Sequence, residues 1–244
     1  MPSHALGAWA PSAQERWIRQ RFRITEEETP TLKIAGLDEA GVGPLAGPII
    51  AAAAVYDNDV CPFLPELWNH KEYKYKDSKQ LTEMRREALY DQVIEAAITV
   101  GLGWAWPAEI EKHGMGGAHR LCLRRAVDDL QVVPDILIVD GSNYRLHRLE
   151  TPQKAQNKAD ELWWQVACAS IVAKAYHDRI MRDYHETYPG FGFRTNKGYG
   201  TAEHIRALHT VGPTPIHRPL MIRKIMARQG KHDTGVRNRR RTSF

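Results

Sequence analysis

Apolar residues fall along this chain in two rhythms, short uninterrupted runs that suit buried strands and longer stretches with apolar positions at helical spacing. Leu32 to Leu37 and Ile49 to Tyr56 are runs of the first kind, and the glycine-rich turn between them predicts a hairpin. Leu81, Met84, Leu89, Val93 and Ile94 form one face of a helix reaching Ile98, with Asp77 or Ser78 as its cap. Thr99 to Trp106 reads as a strand. Pro107 then opens a short helix, and the segment from His113 to Gly117 separates it from a second, Ala118 to Leu130. Ile136 to Val139 is β-branched and Leu throughout, the mark of a strand buried on both faces, and it stops at Asp140-Gly141. Thr151 to Asn157 reads as a short edge strand or loop. Ala159 to Tyr188 is the longest helical pattern, ended by Pro189-Gly190, and Thr201 to His209 is the last good helix. Ahead of the first strand, Ser12 to Glu28 is helical and carries Trp17, Ile18 and Phe22. Asp57 to Lys76 is an insertion that reads as a solvated loop, although its KEYKYK cluster interleaves aromatic and basic residues as nucleic-acid binders do. Strands alternating with helices after one antiparallel hairpin predict an α/β fold, a mixed β-sheet flanked by helices with a helical C-terminal part.

Composition narrows this. The 244 residues, 43% hydrophobic, suit one globular domain over 32–230, with a helical extension at 1–31 and a basic tail at 231–244. Cys61, Cys122 and Cys168 are scattered without a CxxC spacing, so neither a disulfide framework nor a zinc site is expected. A reducing, cytoplasmic setting follows, with no membrane span and no leader of basic and then apolar residues. The formal charge is +5, but Lys231, Arg237, Arg239, Arg240 and Arg241 supply most of it, so the body is nearly neutral and charge alone selects no partner.

Candidate chemistry centres on KIAGLDEAGVGPLAGP. Asp38 and Glu39 stand at the end of the first strand, where alternation points one carboxylate to each face, or both to one face if the chain bulges. Gly41, Gly43 and Gly47 let backbone approach a ligand, and an acidic hairpin turn is the plainer alternative. Asp140 ends the central strand, where an Asp-Gly turn is the alternative. Asp178 shares a helical stripe with Ile171 and with Lys174 or Ala175, and a structural salt bridge to Arg179 or Arg182 stands beside a catalytic role, with Asp183 competing for it. Carboxylates brought from separate parts of a chain suit hard divalent cations such as Mg2+ and Mn2+. The histidines offer no HxxxH or HExxH spacing for metal-free acid–base cleavage, and His204, His209 and His217 read as helix-surface and loop residues.

The motif D-E-A-G-x-G-P-L-A-G-P, with Asp77-Ser78-Lys79, ILIVDGSN, ACASIVAKAYHDR and YPGFGFRTNKGYGTAEH in that order, resembles type 2 ribonuclease H, ribonuclease HII, from about Ile34 to Arg218. The resemblance implies a ribonuclease H-like fold and cleavage of RNA in RNA/DNA hybrids and at ribonucleotides embedded in duplex DNA, leaving 3′-hydroxyl and 5′-phosphate ends. It implies that Asp38, Glu39, Asp140 and Asp178 hold two Mg2+ or Mn2+ ions. It further implies that the turn Gly41, Val42, Gly43 reads the 2′-hydroxyl and that Tyr199 packs on the sugar. Ser78, Lys79, Lys174, Arg179 and Lys197 are the candidate phosphate contacts, solvated surface groups being the alternative for most, and the resemblance raises Lys79 and Lys197 above the others. One position departs from the family, which has Arg where this chain has Val42. Two other readings stay open at this point, a catalytically silent hybrid-binding protein and a DNA-only nuclease of the same fold. Protein partners are not indicated.

Overall fold

The computed structural model describes residues 18–20, 23, 25, 32–57, 68–69, 74–75, 81–141, 146, 149–223 and 225–227. Asp77, Ser78 and Lys79, most of the 57–76 insertion, most of the N-terminal extension and the basic tail lie outside the described residues.

In chain order the strands are β1 (Lys33–Ala40), β2 (Ile49–Asp57), β3 (Trp68–Asn69), β4 (Lys74–Tyr75), β5 (Thr99–Ala105), β6 (Ile136–Asp140) and β7 (Gln153–Gln156). The short β3 and β4 pair with each other, and the rest form one sheet in the order β5-β2-β1-β6-β7. β1 is antiparallel to β2 and parallel to β6, while β2 and β5 are antiparallel and β6 and β7 parallel. The sheet is mixed as expected. β1 is longer than its apolar run: register is unbroken from Lys33 opposite Asp57 to Ala40 opposite Ile50, so Asp38 and Glu39 lie inside the ladder, opposite Ala52 and Ala51. With no bulge there, their side chains alternate between faces.

Two layers of helix cover the sheet. On one face lie α1 (Glu83–Ala96) and α4 (Trp164–Thr187), on the other α2 (Pro107–Asp128). The run Ala51 to Ala54 alternates between these faces, and its small side chains let helices settle close on both. Closer still are the glycines. A Cβ on Gly36 would stand 2.1 Å from the carbonyl carbon of Gln165 in α4, and one on Gly103 would stand 2.0 Å from the carbonyl oxygen of Cys122 in α2. Backbone therefore packs directly on backbone at both places. Ile18, from the described turn of the N-terminal extension, is buried with Ile34, Ile136, Ile138, Trp163 and Val166. A second core joins the end of α4 to Leu45, Ala46, Phe191, Phe193, Leu208, Ile216 and Ile222, using the short α5 (Phe193–Asn196) and α6 (Ala202–Val211).

Three boundaries differ from the sequence reading. α1 starts at Thr82, whose side chain accepts from the Arg85 N–H, rather than at Asp77 or Ser78. The two helices expected from Pro107 to Leu130 meet with only Gly114 out of helical conformation, at φ 67°. The long helix is broken where no break was expected. Trp163 is extended, at φ −122° and ψ 116°, so α3 (Ala159–Leu162) is a separate turn ahead of α4.

Candidate active site

Asp38 is buried on the α4 face of β1, where its Oδ1 accepts the Glu39 N–H at 2.7 Å and its side chain hydrogen-bonds Ser170 of α4. Glu39 leaves the opposite face, with Oε2 2.8 Å from Nε2 of the buried His119 on α2. Asp140 ends the neighbouring parallel strand, and its Oδ1 accepts the Ala159 N–H at 2.7 Å. That bond pins the start of α3, so the next residue, Asp160, arrives at the same place and is buried. The carboxyl pKa of Asp38 is pushed well above its usual range by burial first, then by the charges of Glu39, Asp140 and Asp160, with the Ser170 hydrogen bond opposing.

Asp178, the fourth acid expected from the sequence, is not in this group. It lies eight residues beyond Ser170 on α4, about 12 Å further along the helix axis. Its Oδ2 accepts from Arg86 Nη2 at 2.9 Å and its Oδ1 from Lys174 Nζ. Burial works to raise the Asp178 carboxyl, but His177, Lys174 and Arg86 outweigh it and hold it well below the usual carboxylate range. The salt bridge considered for this residue exists, with other partners than Arg179 and Arg182. Those two run to α1: Arg179 Nε donates to Glu87 at 3.1 Å with its guanidinium 4.1 Å over the Tyr90 ring, and Arg182 reaches Glu83 and Glu87. Lys174 is thereby held against Asp178, Arg179 against Glu87, and Lys197, buried with φ 50°, has Nζ 3.1 Å from Glu83. Arg86, Lys174, Arg179, Arg182 and Lys197 outnumber Glu83, Glu87 and Asp178 here, leaving a net positive strip beside the glycine turn.

Gly41 has φ 83°, and a Cβ on it would stand 2.4 Å from His177 Cδ2, so both its conformation and its contact require glycine. Val42 points outward, half-exposed, and Gly43 faces Tyr199, whose Cε1 would be 3.2 Å from a Cβ there. Turn and tyrosine are therefore neighbours. α4 runs past all of these in sequence, Gln165 against Gly36, Ser170 at Asp38, His177 against Gly41 and Met181 against Gly47.

Sequence reasoning missed Asp160, His119, Ser170, Arg86 and Arg218. Asp160 carries a signal, an acid set among Ala159, Leu162 and Trp163, but a continuous helical pattern hid it. Among the described residues, no group of three or more His, Cys, Asp or Glu side chains stands close enough together to hold a metal ion. The donor set still fits hard cations: carboxylate oxygens gather around a buried acid whose ionisation they oppose, and a bound cation relieves that repulsion.

A mixed sheet with acids clustered at one end, beside a glycine turn and a positive strip, is the frame of a hydrolytic nuclease with a ribonuclease H-like fold. The sequence model described as Ribonuclease HII matches residues 35–225. Ribonuclease HII of Lachnoclostridium phytofermentans is 44% identical over 192 residues, 79% of this chain and 71% of that protein. The crystal structure of ribonuclease H2 from Pyrococcus horikoshii superposes with a TM-score of 0.67 at 28% identity, covering 81% of this chain and 98% of that one. Bst-RNase HIII in complex with Mn2+ shares the fold, with a TM-score of 0.57 at 21% identity over 79% of this chain and 67% of that one. The chain belongs to the ribonuclease HII family. It is a hydrolytic endonuclease that cleaves RNA, with the metal dependence general to that family, and it acts on RNA/DNA substrates. Among the described residues no helix is long and apolar enough to cross a membrane.

Proposed function

We propose that this endonuclease cuts the RNA strand of RNA/DNA hybrids and also cuts 5′ of single ribonucleotides embedded in duplex DNA, leaving 3′-hydroxyl and 5′-phosphate ends. Two divalent ions, Mg2+ or Mn2+, are held by Asp38, Glu39, Asp140 and Asp160, with Asp160 in the role that the sequence suggested for Asp178. The observation that carries this reading is that the buried Asp38 carboxyl feels the charges of Glu39, Asp140 and Asp160 at the strand ends that adjoin the Gly41–Gly43 turn and Tyr199, Glu39 acting from the other face of β1. When bound, such ions activate an attacking water and stabilise the leaving oxygen of a phosphodiester. The neighbour solved with Mn2+ supports this choice of cation at the level of the fold. Within the protein, Ser170 and the Glu39 N–H orient the Asp38 carboxylate, the Ala159 N–H orients Asp140, and His119 steadies Glu39.

Recognition falls to the turn and its surroundings. The backbone of Gly41, Val42 and Gly43 meets the 2′-hydroxyl, the exposed Tyr199 packs on the sugar, and the positive strip carrying Lys174 and Lys197 draws in phosphates. Asp178 anchors that strip rather than a metal. The test is cleavage of matched duplexes with no ribonucleotide, one, and a run of four, in Mg2+, in Mn2+ and in chelator. Cleavage of the second and third in metal alone is expected. Equal cutting of the all-DNA duplex, or full activity in chelator, refutes the reading.

A further inference from the structure

Behind the Gly41–Gly43 turn lies Arg218, whose side chain is fully buried. Its Nη2 donates to the carbonyl oxygens of Gly41 at 2.6 Å and Pro48 at 3.0 Å, its Nη1 to that of Val42 at 2.9 Å, and its Nε to that of Gly47 at 2.8 Å. Each of these partners is a main-chain carbonyl. Burial lowers the Arg218 pKa to about 10, so the group is still a cation at neutral pH and its charge is spread over the back of the turn. No cis peptide occurs among the described residues, and in a trans peptide the N–H points opposite to the C=O. With the carbonyls of Gly41 and Val42 turned to Arg218, the N–H groups that share those two peptides, of Val42 and Gly43, are turned away from it. A carbonyl that accepts a charge-assisted bond also polarises its own N–H into a stronger donor.

The residue before Arg218 reaches the other half of the recognition site. His217 Nδ1 accepts the Thr214 N–H at 2.9 Å, which leaves the proton on Nε2, 3.0 Å from His204 Nε2. His204 Nδ1 in turn lies 2.9 Å from the carbonyl oxygen of Tyr199 and donates to it. Both imidazoles are buried against the stacked rings of Phe191 and Phe193, and with Thr214 donating to His217 the chain of bonds has a single direction while both imidazoles are neutral. The segment itself is stitched to the turn by the Arg218 N–H to Leu45 at 2.8 Å and the Gly47 N–H to Ile216 at 2.9 Å, while the Leu45 N–H donates to Gly198 at 2.8 Å.

We propose that His217 and Arg218 are the positioning unit of ribonucleotide recognition: Arg218 aims the Val42 and Gly43 amides at an oxygen of the ribose, and His217, through His204, holds Tyr199 beside them. The inference rests on the reading above that the turn and Tyr199 meet the sugar. Neither residue touches substrate. Because Arg218 faces inward, it adds no phosphate contact and leaves the salt dependence of duplex binding alone.

The test measures kcat and KM on a duplex with one ribonucleotide, the Kd and its salt dependence for the all-DNA duplex, and the melting midpoint. Lysine cannot present the planar fork that serves these carbonyls. Arg218→Lys is therefore expected to lower kcat/KM on the ribonucleotide duplex by about tenfold or more, with all-DNA affinity within about twofold and an unchanged salt slope. A loss of melting temperature with unchanged kcat/KM overturns the proposal, as does an equal loss of affinity for both duplexes. At position 217, Gln retains a donor toward His204 whereas Asn retains only the acceptor for Thr214. His217→Gln should stay closer to wild type in KM than His217→Asn, and the reverse order overturns the proposal. That pair decides the question by itself if Arg218→Lys does not fold. Tyr199→Ala and Gly43→Ala run in parallel: if both leave ribonucleotide discrimination intact, the underlying assignment of the turn fails, whereas a loss there with none in Arg218→Lys and His217→Asn defeats only the positioning role.

Discussion

Replacing Asp178 with Asn separates an anchor from a metal ligand. In the folded chain this carboxylate, 1% exposed, faces the Arg86 guanidinium, itself 7% exposed, and the Lys174 ammonium. Asparagine keeps the shape but removes the charge, and leaves a buried guanidinium without its counter-ion. Breaking a buried pair in this way costs about 3–5 kcal/mol. For a domain of this size each kcal/mol is worth about 2–4 °C, so melting should fall by roughly 6–20 °C. Metal use should survive, with the half-saturating Mg2+ or Mn2+ concentration for cleavage within about threefold of wild type. Asp160→Asn should show the opposite pattern, since it removes a carboxylate that opposes the ionisation of Asp38. Its stability in chelator should be unchanged or higher, and its half-saturating metal concentration should rise by about tenfold or more. Differential scanning calorimetry in chelator and cleavage against metal concentration measure both. An Asp178→Asn protein that melts within about 2 °C of wild type and needs far more metal would show that the acid set has been assigned wrongly.

Other outcomes follow from the same packing. Asp38 has its pKa raised in the metal-free fold, so its contribution to stability is greatest below the unfolded carboxyl pKa and is lost as pH rises through the folded value. Asp38→Asn should thus abolish cleavage yet raise the urea midpoint in chelator at pH 7 and flatten its fall above about pH 4. His217 is depressed to about 4, by burial first and His204 second, so its contribution is complete above the unfolded imidazole pKa near 6.5 and is lost as pH falls through 4. Urea midpoints at several pH values across that window should fall less steeply for His217→Gln than for wild type. Gly36→Ala would drive a methyl into the Gln165 backbone, and soluble yield and melting should both drop sharply; a change under about 1 °C would contradict the packing described. Val42→Arg should tighten hybrid and DNA duplex alike by a few-fold and steepen the salt slope by about 0.9, leaving ribonucleotide selectivity in place; a tenfold change in selectivity would show that the side chain sets recognition.

Apolar runs foretold the sheet well, because β1, β2 and β6 are buried on both faces and no helix pattern competes with them. The acid set was harder to read. Helical periodicity continues straight through Trp163, so nothing local reveals that its backbone is extended, yet that one residue decides whether Asp160 joins Asp140 or faces elsewhere. Asp178 looked suitable because its motif surrounds it with cations, and the structure shows those cations to be its partners. His204 and His217 looked like surface residues since the aromatic rings they pack against are supplied by Phe191 and Phe193, at the start of the short α5. Arg218 is the extreme case. Its partners lie 170 to 177 positions earlier in the chain, three of them glycine or valine carbonyls that no side-chain pattern can announce.

The course of α4 past the sheet has a metric consequence. Ser170 marks the acids and His177 marks the glycine turn, and the seven residue steps from one to the other amount to about 10 Å of helix. An α-helix in a packed core is a stiff rod, so under the proposed roles of turn and acids the offset from the sugar to the phosphodiester that is cut would be fixed by a length and not by the elasticity of loops. On that proposed reading the enzyme would work as a gauge with two jaws on one bar. Changes in surface loops should alter how often it cuts without moving the cut, whereas one residue added to or removed from α4 between Ser170 and His177 would rotate the jaws about 100° out of phase.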